Sequence, residues 1–565
     1  MGSYQIKDTK TGRPTLIFLD AVTIRLHSAF DPVTEAERGA AAVENGRASH
    51  IIVSGLGLGY HAAALKKKYP DTVIIILERD AEAVRLARKH CPENISGAHI
   101  INSKNEGFFE FFEGFDINSF KGIAHYIHRP SYQIEPDFYD ELTEAFKEQI
   151  SSRVSDMLTR FEFEERWIKN IFANLHHLTS SLPVSKLFRK FIGCPGIIVS
   201  AGPSLRKNIA QLKELKNKAV IVCVDTAYKV CVKSRITPHI VMTIDAQKHS
   251  VKHFLGVGCE ALLLADMVSC PAILRSYNGH KALSATAKFF TDSKGRTTRE
   301  TTPIMDWIEK STPSPGDIQS GGSVATSAFD LLLNMGCAPI ILAGQDLAYT
   351  GREIHSAGTH HNDDWLPSCT RLKNLDTINQ SVIRRRSISR AEAYGGHGSV
   401  ITDFVLGLYR GWFQDSSERV PFAVINATEG GARIKNTIEK PLAALAAELP
   451  DRGPTETIAG ILKSGQAAPL GKLIDELQKA AASLDKIDAI IKSDEQEGIA
   501  ARIDKLIEST GVGGLINPFL RRTRFYINRQ NLDAEKAAAI LLTETGAAVQ
   551  KLIPMIAKAM KMRRD

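Results

Sequence analysis

Short apolar runs that end in a glycine or an aspartate recur through the middle of this chain. The first, Gly196–Ser200, leads into Ala201-Gly202-Pro203-Ser204 and then into a helical segment that ends near Leu215. The later runs, in chain order, are Ala219–Val224, Ile240–Ile244, Ala261–Ala265, Lys288–Phe290 and Pro339–Leu342. Helical segments fit between most of these runs, and such alternation predicts a mainly parallel, doubly wound α/β sheet. Ligands of such sheets bind outside the carboxyl ends of the strands.

A second unit of this kind lies nearer the N-terminus. His50–Val53 predicts a strand, the turn Gly55-Leu56-Gly57-Leu58-Gly59 follows it, and a helix runs to Lys68. The next strand, Val73–Leu77, ends at Glu78. This order is typical of a Rossmann-like mononucleotide-binding unit, and also of an S-adenosylmethionine methyltransferase. No acceptor motif such as Asn-Pro-Pro-Tyr follows, so we favour a degenerate binding or scaffold domain.

The length of 565 residues exceeds what one hydrophobic core supports, and three domains are expected. We place a Rossmann-like domain at 1–180, a catalytic α/β domain at 181–437 and an all-helical domain at 438–565. Within the second domain, residues 351–398 are rich in His, Arg and Gly and have little strand signal. An insertion of that length in a compact domain is typical of a functional lid.

Composition limits the environment and the partners of the protein. The net charge of +8 is spread along the chain without a dense Lys/Arg block, so nucleic-acid binding is not expected. Eight cysteines without a CxxC pair indicate a reducing compartment. We find no N-terminal signal region and no apolar stretch that approaches ~18 residues, so we expect a cytoplasmic protein that does not contact a membrane.

Three successive strand ends carry polar groups that suit an anionic ligand. The first carries Gly202-Pro203-Ser204, the second Asp225-Thr226 and the third Asp245. A strand that turns into a helix offers free backbone N–H groups, which favour an anion. Any one of these side chains could merely cap a helix, but three strand ends in register predict one shared binding crevice.

A glycine pair precedes another predicted helix. Gly321-Gly322-Ser323 allows a close approach of the backbone to a ligand, and Ser323 adds a hydroxyl. The spacing is not that of a GxxxxGK[ST] phosphate loop, so an ordinary NTPase is not expected. A tight turn without a ligand is the alternative.

The strand Pro339–Leu342 runs into the lid and supplies further candidates. Gln345 and Asp346 can read a base or a ribose, and Tyr349 can donate to a phosphate. The lid adds candidate bases and anion-binding groups, namely His355, His360, His361, His397, Arg371 and Arg384-Arg385-Arg386. His360 and His361 with Asp363 and Asp364 could hold a metal, but adjacent side chains chelate poorly, and we expect no metal.

These motifs together resemble the motility-associated-factor (Maf) family. The resemblance rests on Gly196–Phe254, Gly321–Tyr349, Asn426–Ala432 and the N-terminal Gly55–Glu78, and it extends over most of residues 45–440. Proteins of that family are implicated in attaching nonulosonic acids, of the pseudaminic or legionaminic type, to Ser and Thr of flagellin. Its central domain is similar to bacterial sialyltransferases that use a CMP-linked donor.

The resemblance implies a cytoplasmic glycosyltransferase that needs no cofactor besides its donor. By that similarity Gly202, Pro203 and Ser204 hold the CMP, while Asp225 and Asp245 lie near the nucleotide and sugar, where those enzymes often have Asn. Ser323 and Tyr349 would face the phosphate. The remaining donor-binding candidates are Thr226, Gly321, Gly322 and Gln345, and the catalytic candidates are the lid base His355 and Asp346. Flagellin is the expected partner, contacted through the C-terminal helices.

Two other functions stay open at this point. Archaeal hydroxymethyl-dihydropterin pyrophosphokinases resemble the same central domain, and would use ATP with Mg²⁺ held by carboxylates such as Asp225 and Asp245. Those proteins are about one domain long. The other alternative is a non-catalytic flagellin-binding assembly factor, for which the helical C-terminal segment is suited.

Overall fold

The computed structural model describes residues 2–103, 106–291, 297–463, 470–493, 499–530 and 532–561. Two compact units are present, each built from segments that are distant in the sequence. Unit 1 comprises Met1–Glu162, Thr291–Thr298 and Arg521–Leu541, and unit 2 comprises Phe163–Phe290, Arg299–Leu520 and Leu542–Asp565. The division into three consecutive domains stays a prediction.

The strands of both units are numbered in chain order. They are β1 (Ser3–Asp8), β2 (Pro14–Leu19), β3 (Thr23–Arg25), β4 (His50–Ser54), β5 (Val73–Leu77), β6 (His99–Ile101), β7 (Ile123–Ile127), β8 (Leu182–Pro183), β9 (Gly196–Val199), β10 (Val220–Val224), β11 (Ile240–Thr243), β12 (Leu262–Asp266), β13 (Lys281–Thr291), β14 (Thr297–Thr301), β15 (Asp317–Gln319), β16 (Ile340–Ala343), β17 (Ile388–Glu392), β18 (Ser399–Asp403), β19 (Val424–Asn426) and β20 (Ile438–Glu439).

The α-helices are numbered in the same way. They are α1 (Pro32–Ala41), α2 (Tyr60–Lys68), α3 (Ala81–His90), α4 (Glu106–Glu113), α5 (Arg129–Tyr132), α6 (Pro136–Asn174), α7 (Leu205–Asn208), α8 (Asp225–Lys233), α9 (Pro271–Ser276), α10 (Pro303–Glu309), α11 (Val324–Met335), α12 (His360–Trp365), α13 (Leu375–Ile383), α14 (Phe404–Arg419), α15 (Leu442–Glu448), α16 (Pro454–Lys463), α17 (Gly471–Ile491), α18 (Ile499–Thr510), α19 (Gly513–Gln530) and α20 (Ala534–Ala559).

Unit 1 contains a four-stranded parallel sheet in the order β6-β5-β4-β7. Its central strands are continuous apolar runs whose residues are almost all buried, because parallel strands are covered on both faces. A three-stranded antiparallel sheet, β1-β2-β3, accompanies it. The predicted strand–glycine turn–helix–strand order is present, with the turn between β4 and α2.

Unit 2 contains the larger sheet, in which β13-β12-β11-β10-β9-β16-β19-β20 lie side by side and each adjacent pair is parallel. The strands run backwards in chain order up to β9 and then forwards from β16. Between β9 and β16 the strand order therefore changes direction, and this is where open α/β sheets bind their ligands. The mixed α/β class and the parallel sheets are confirmed, whereas the sialyltransferase-like detail stays a prediction.

Most predicted strands of unit 2 agree with the structure to within one residue, because buried apolar runs bounded by polar turns are clear in the sequence. Lys288–Phe290 proved to be the end of the much longer β13. The helix after Gly202-Pro203-Ser204 is also shorter than predicted, since α7 stops at Asn208 and a 3-10 turn, Ile209–Lys213, follows. The segment 351–398 includes β17, which pairs with β18, so the expectation of little strand there was wrong at this point.

The described residues from α15 to α20 are largely helical, whereas β20, which the predicted all-helical domain 438–565 included, joins the sheet of unit 2 beside β19. In the part of the chain that the structure describes, α20 is long and apolar enough to cross a membrane by length and composition. It thus departs from the expectation that no apolar stretch approaches about 18 residues. Its buried residues Thr545, Val549, Leu552 and Ile556 recur at helical spacing, which is also typical of a helix that packs one face against a core.

Candidate functional site

A cavity of about 360 Å³ opens in unit 2 at the carboxyl ends of β9, β10 and β16. It lies where the strand order changes direction. Its polar lining includes most of the side chains that sequence analysis proposed. The predicted residues that line it are Gly202, Pro203, Asp225, Thr226, Ser323, Gln345, Asp346, Tyr349, His355 and Arg386. The structure therefore brings together strand ends as far apart in the chain as Val199 and Ala343, as expected of a parallel sheet.

Asp346 holds the loop between β9 and α7 in place by accepting hydrogen bonds from it. Its carboxylate accepts the backbone N–H of Ser204 at 3.1 and 3.2 Å, the Ser204 hydroxyl at 2.7 Å and the Thr350 hydroxyl at 2.6 Å. Burial raises the pKa of Asp346. Both oxygens accept hydrogen bonds, so this carboxylate supports the loop and is not free for the catalytic role that sequence analysis gave to Asp346.

Ser204 is consequently not the phosphate contact or helix cap that the sequence suggested. Its side chain makes no capping hydrogen bond, it is 1% exposed, and its hydroxyl donates to Asp346. It is absent from the cavity lining of the described residues, unlike its neighbours Gly202 and Pro203. A side chain at Gly202 would clash, because a Cβ there would lie 2.0 Å from Asp346 Oδ1 and 2.5 Å from the Gly344 carbonyl oxygen. The glycine is required by this close packing.

Asp225 begins α8 and is buried beside the cavity. Its carboxylate accepts the Thr226 N–H at 2.7 Å and the Thr243 hydroxyl at 2.8 Å. Burial, reinforced by Asp245, raises the pKa of Asp225 to about 6 despite these hydrogen bonds. Asp245 itself does not line the cavity; it accepts the Gln247 N–H at 2.9 Å and faces His249 at 3.6 Å.

The glycine pair before α11 serves packing. A Cβ at Gly321 would lie 2.5 Å from the Trp412 ring, and neither Gly321 nor Gly322 is among the described residues that line the cavity. Ser323 does line it. Its side chain accepts the Thr326 N–H at 3.2 Å in a capping box, which begins α11 at the cavity wall.

Tyr349, Asp403 and Arg386 form a hydrogen-bonded group on another wall. The Tyr349 hydroxyl donates to Asp403, and Arg386 Nη1 lies 3.4 Å from the same carboxylate oxygen. Burial and Asp403 raise the pKa of Tyr349. Tyr349 thus has its proton directed at a carboxylate and not at a phosphate, whereas the half-exposed Arg386 retains donors that can reach a ligand.

His355 is the lid histidine that reaches the cavity, as sequence analysis had suggested. Burial lowers its pKa to about 3, so its ring is neutral near pH 7. It stacks on His361 with ring centroids 4.8 Å apart. Arg371, Arg384, Arg385 and His397 are exposed, and the described cavity lining does not include them.

The junction of β18 and α14 was missed by sequence analysis. Asp403, Val405, Leu406 and Tyr409 from this junction line the cavity. Asp403 caps α14 by accepting the Leu406 N–H at 2.8 Å. An aspartate before an amphipathic run is a recognisable helix start, and that signal could have identified the junction, though not its partner Tyr349.

The N-terminal glycine turn is filled by the protein itself. A Cβ at Gly57, where φ is +52°, would lie 2.3 Å from His27 Nε2, and Gly55 packs on Ser131. Glu78 accepts the Leu56 N–H at 2.8 Å, and its pKa is raised by burial. Where a nucleotide ribose would require a free carboxylate, Glu78 is already engaged, which argues against a methyltransferase.

A larger cavity of about 1030 Å³ lies elsewhere in unit 1. Its lining includes His50, Asp71 and His99, which stand at the amino ends of β4, β5 and β6. This is the opposite edge of the sheet from the glycine turn. Because ligands of parallel sheets bind at the carboxyl ends, size alone does not make this cavity the functional site.

Two groups of three histidines have the spacing of metal ligands among the described residues, namely His27, His61, His128 and His253, His360, His361. Neither group contains Asp363 or Asp364, which sequence analysis had considered beside His360 and His361 while expecting no metal. Asp363 pairs with Lys229 at 2.9 Å, and Asp364 pairs with Lys252 at 2.6 Å. Asp225 and Asp245, the carboxylates that the pyrophosphokinase alternative would use for Mg²⁺, belong to neither group.

Comparisons with known proteins concern both the centre of the chain and its fold as a whole. The family described as 6-hydroxymethylpterin diphosphokinase MptE-like matches residues 169–352. A solved structure described as a Maf glycosyltransferase from Magnetospirillum magneticum AMB-1 has a TM-score of 0.55 and 13% identity, with 99% of this chain and 93% of that chain covered. At this identity the likeness establishes the fold, which extends over nearly the whole chain.

Two uncharacterised proteins of Treponema pallidum (strain Nichols) also match. One is 31% identical over 126 residues, which are 22% of this chain and 32% of that protein. The other is 27% identical over 125 residues, which are 22% of this chain and 58% of that protein. The matched stretches cover less than two thirds of either relative.

Proposed function

We propose that this protein is a glycosyltransferase that moves a nonulosonic acid from a CMP-linked donor to Ser or Thr hydroxyls of flagellin in the cytoplasm. The observation that carries the proposal is the cavity at the carboxyl ends of β9, β10 and β16, in a chain that shares its fold with a Maf glycosyltransferase. The donor carries negative charge at two places, its phosphate and its sugar carboxylate. A cavity with Arg386 and with the N-termini of α8 and α11 at its walls suits such a ligand.

The donor's nucleotide is assigned to the strand ends. Gly202 and Pro203 line the part of the cavity assigned to the phosphate, and Ser323 adds a hydroxyl there from the start of α11. Asp225 can accept from a ribose hydroxyl or the cytosine amino group. Gln345, whose side-chain oxygen accepts from Ser200, keeps its amide donors for the base. Arg386 is assigned to the sugar carboxylate.

The transfer is a single displacement at the anomeric carbon. An acceptor hydroxyl oxygen forms the new bond while the bond to the CMP oxygen breaks and CMP leaves as the anion. His355, the lid histidine that lines the cavity, is assigned the role of the base that takes the hydroxyl proton. Inversion follows from one displacement, and the step requires no redox cofactor.

A second candidate is a Mg²⁺-dependent pyrophosphokinase acting on a hydroxymethylpterin, which the family match over residues 169–352 favours. Against it, Asp225 and Asp245 are both engaged in local hydrogen bonds. The length of the shared fold also exceeds the matched family region.

The direct test is a transfer assay with the full-length protein, CMP-linked pseudaminic or legionaminic acid and purified flagellin. We expect release of CMP together with a sugar-sized mass increase on flagellin Ser or Thr. At limiting donor, Arg386→Gln should slow transfer about tenfold, whereas Arg385→Gln, in the same run but outside the cavity, should leave it unchanged. Conversion of ATP and a hydroxymethylpterin to AMP, with no release of CMP from the sugar donor, would establish the second candidate instead.

A further inference from the structure

Four histidine rings form a continuous group beside the cavity of unit 2. His360 and His361 have ring centroids 3.9 Å apart, and His253 lies 4.1 Å from His360 and 5.8 Å from His361. His355 connects this group to the cavity by stacking on His361 at 4.8 Å. The group is therefore adjacent to the candidate donor site without being part of its lining, apart from His355.

Two nitrogens of this group are buried without a partner. In the described part of the chain, Nδ1 of His253 and Nδ1 of His360 are inaccessible to solvent and make no hydrogen bond. Both side chains are more than nine-tenths buried, with 4% and 3% exposure. Buried polar atoms in native structures are nearly always satisfied, so an unpaired pair of this kind calls for a bound partner.

The three rings come from two segments that ion pairs hold together. His253 ends the 3-10 turn Lys248–His253, whereas His360 and His361 begin α12 in the lid segment. Lys252 on that turn pairs with Asp364 of α12 at 2.6 Å. The donors of both segments are thus positioned near each other before any ligand binds.

We propose that His253, His360 and His361 bind one divalent transition-metal ion of the zinc type. Each ring offers a nitrogen within 4.8 Å of the other two. Zinc bonds to imidazole of about 2.0–2.1 Å in a tetrahedral arrangement require nitrogens roughly 3.4 Å apart, so modest rotations of the rings complete the site. Three neutral imidazoles prefer zinc, copper or nickel over Mg²⁺, and they leave a fourth position for water or an anion.

The histidine group of unit 1 serves as a physical contrast. His27 Nε2 accepts the Leu58 N–H at 2.7 Å, which fixes the proton of the neutral ring on Nδ1. The remaining unpartnered atom, Nδ1, is then a donor and cannot ligate a cation. Only two rings, His61 and His128, stay eligible there, and we assign no ion to that group.

An ion at His253, His360 and His361 would tie the lid segment to the core and place positive charge one ring away from the cavity. This departs from the expectation that the protein has no metal site, because the third ligand, His253, comes from a segment distant in the sequence and not from the residues next to His360 and His361. It does not depend on the proposed transfer reaction, because metal binding and CMP binding can be measured separately.

The test is a calorimetric titration of the full-length, tag-free protein with Zn²⁺ after dialysis against a chelator, repeated by absorbance with Co²⁺. We expect one ion per chain, and a visible Co²⁺ spectrum typical of tetrahedral nitrogen ligation. His361→Gln, at the half-buried ring, and His360→Gln should each weaken binding at least about tenfold. His397→Gln, at an exposed lid histidine outside the group, should leave it unchanged.

A thermal unfolding series keeps the test decisive if His360→Gln folds poorly. Zn²⁺ should raise the Tm of the wild type and of His397→Gln but not that of His361→Gln, which changes the more exposed ring. Absence of Zn²⁺ and Co²⁺ binding to the wild type would overturn the proposal. Equal binding by His361→Gln and the wild type, or loss of binding only in His61→Gln, would overturn it as well.

Discussion

The two units contain the same local pattern, a parallel strand that ends in glycines before a helix. The surroundings of the two turns differ, however, because one turn is covered by side chains and the other borders a cavity. In unit 1 the space over Gly55–Gly59 is occupied by His27, His128 and Ser131, and Glu78 closes it with a hydrogen bond to Leu56. In unit 2 the turn at Gly202 borders an open cavity, and the hydrogen bond from the Ser204 hydroxyl to Asp346 stabilises it. A glycine-rich turn therefore identifies a binding site only when distant parts of the chain leave it open.

The largest expected effect distinguishes the two turns directly. Gly202→Ala forces a methyl group onto Asp346 and the Gly344 carbonyl, and we expect about 3 kcal/mol of destabilisation together with loss of CMP binding. Gly57→Ala meets His27 and a positive φ, so it should cost a similar free energy of unfolding but leave CMP affinity unchanged. Denaturant unfolding and calorimetry with CMP would measure both. Loss of CMP affinity in Gly57→Ala would contradict the distinction.

A pH-dependent effect follows from the buried carboxyl groups of unit 2. Burial raises the pKa of Asp225 to about 6 and that of Asp266 to about 6, above the ordinary value of 3.8. Between pH 4 and 6 each of these carboxyl groups therefore keeps its proton in the folded state and releases it in the unfolded state. Their contribution to the free energy of unfolding of the wild type thus falls as pH rises. Relative to wild type, Asp225→Asn should become more stable by on the order of 2–3 kcal/mol between pH 4 and 8.

Asp266→Asn is the matched control for that measurement. It should show the same pH trend in urea unfolding, because Asp266 is equally buried at the end of β12. Asp266 does not line the cavity, so its substitution should leave CMP binding intact, whereas Asp225→Asn should reduce it. A stability difference that does not change with pH would show that Asp225 titrates normally.

Substitution of the carboxylate that supports each turn, Asp346 in unit 2 and Glu78 in unit 1, should also affect CMP binding only in unit 2. Asp346→Asn turns an amide N–H toward groups that already donate, and we expect about 2 kcal/mol of destabilisation and at least tenfold weaker CMP binding. Glu78→Gln should destabilise unit 1 by a comparable amount without affecting CMP. Unchanged CMP binding in Asp346→Asn would show that the loop at Gly202 does not hold the nucleotide.

Sequence reasoning located the strands of unit 2 because apolar runs are local signals. It placed Gly202 and Asp225 in one crevice because parallel strands end at one edge of a sheet. The strand-end argument also included Asp245, which does not line the cavity. It assigned incorrect partners to other residues. Ser204 donates to Asp346, which is 142 positions away, and Tyr349 donates to Asp403, which is 54 positions away.

Those errors have one physical cause. The sequence does not distinguish a hydroxyl or carboxylate that faces a ligand from one that bonds a distant side chain. Only the packed structure determines which partner the group has. The histidine group shows the same limit, since His253 lies more than a hundred residues before His360 and no spacing connects them. Asp363 and Asp364, which are adjacent to the lid histidines in the sequence, pair with lysines instead.

The smallest expected effect concerns the sugar end of the donor. Arg386→Gln should weaken binding of the CMP-linked sugar acid by about tenfold, or 1.4 kcal/mol, while changing the affinity for CMP itself much less. Arg385→Gln should change neither. Competition binding with the two ligands would measure the difference. An equal loss of affinity for both ligands would show that Arg386 contacts the phosphate and not the sugar carboxylate.

The central claim is that the cavity of unit 2, and not the glycine turn of unit 1, binds the nucleotide. The most direct measurement is calorimetric titration of the full-length protein with CMP, and with ATP and Mg²⁺, using the wild type, Ser323→Ala and Glu78→Gln. We predict that CMP binds once per chain without Mg²⁺, that Ser323→Ala weakens it, and that Glu78→Gln does not. Binding of ATP with Mg²⁺ but not of CMP, or loss of CMP binding in Glu78→Gln alone, would contradict the account.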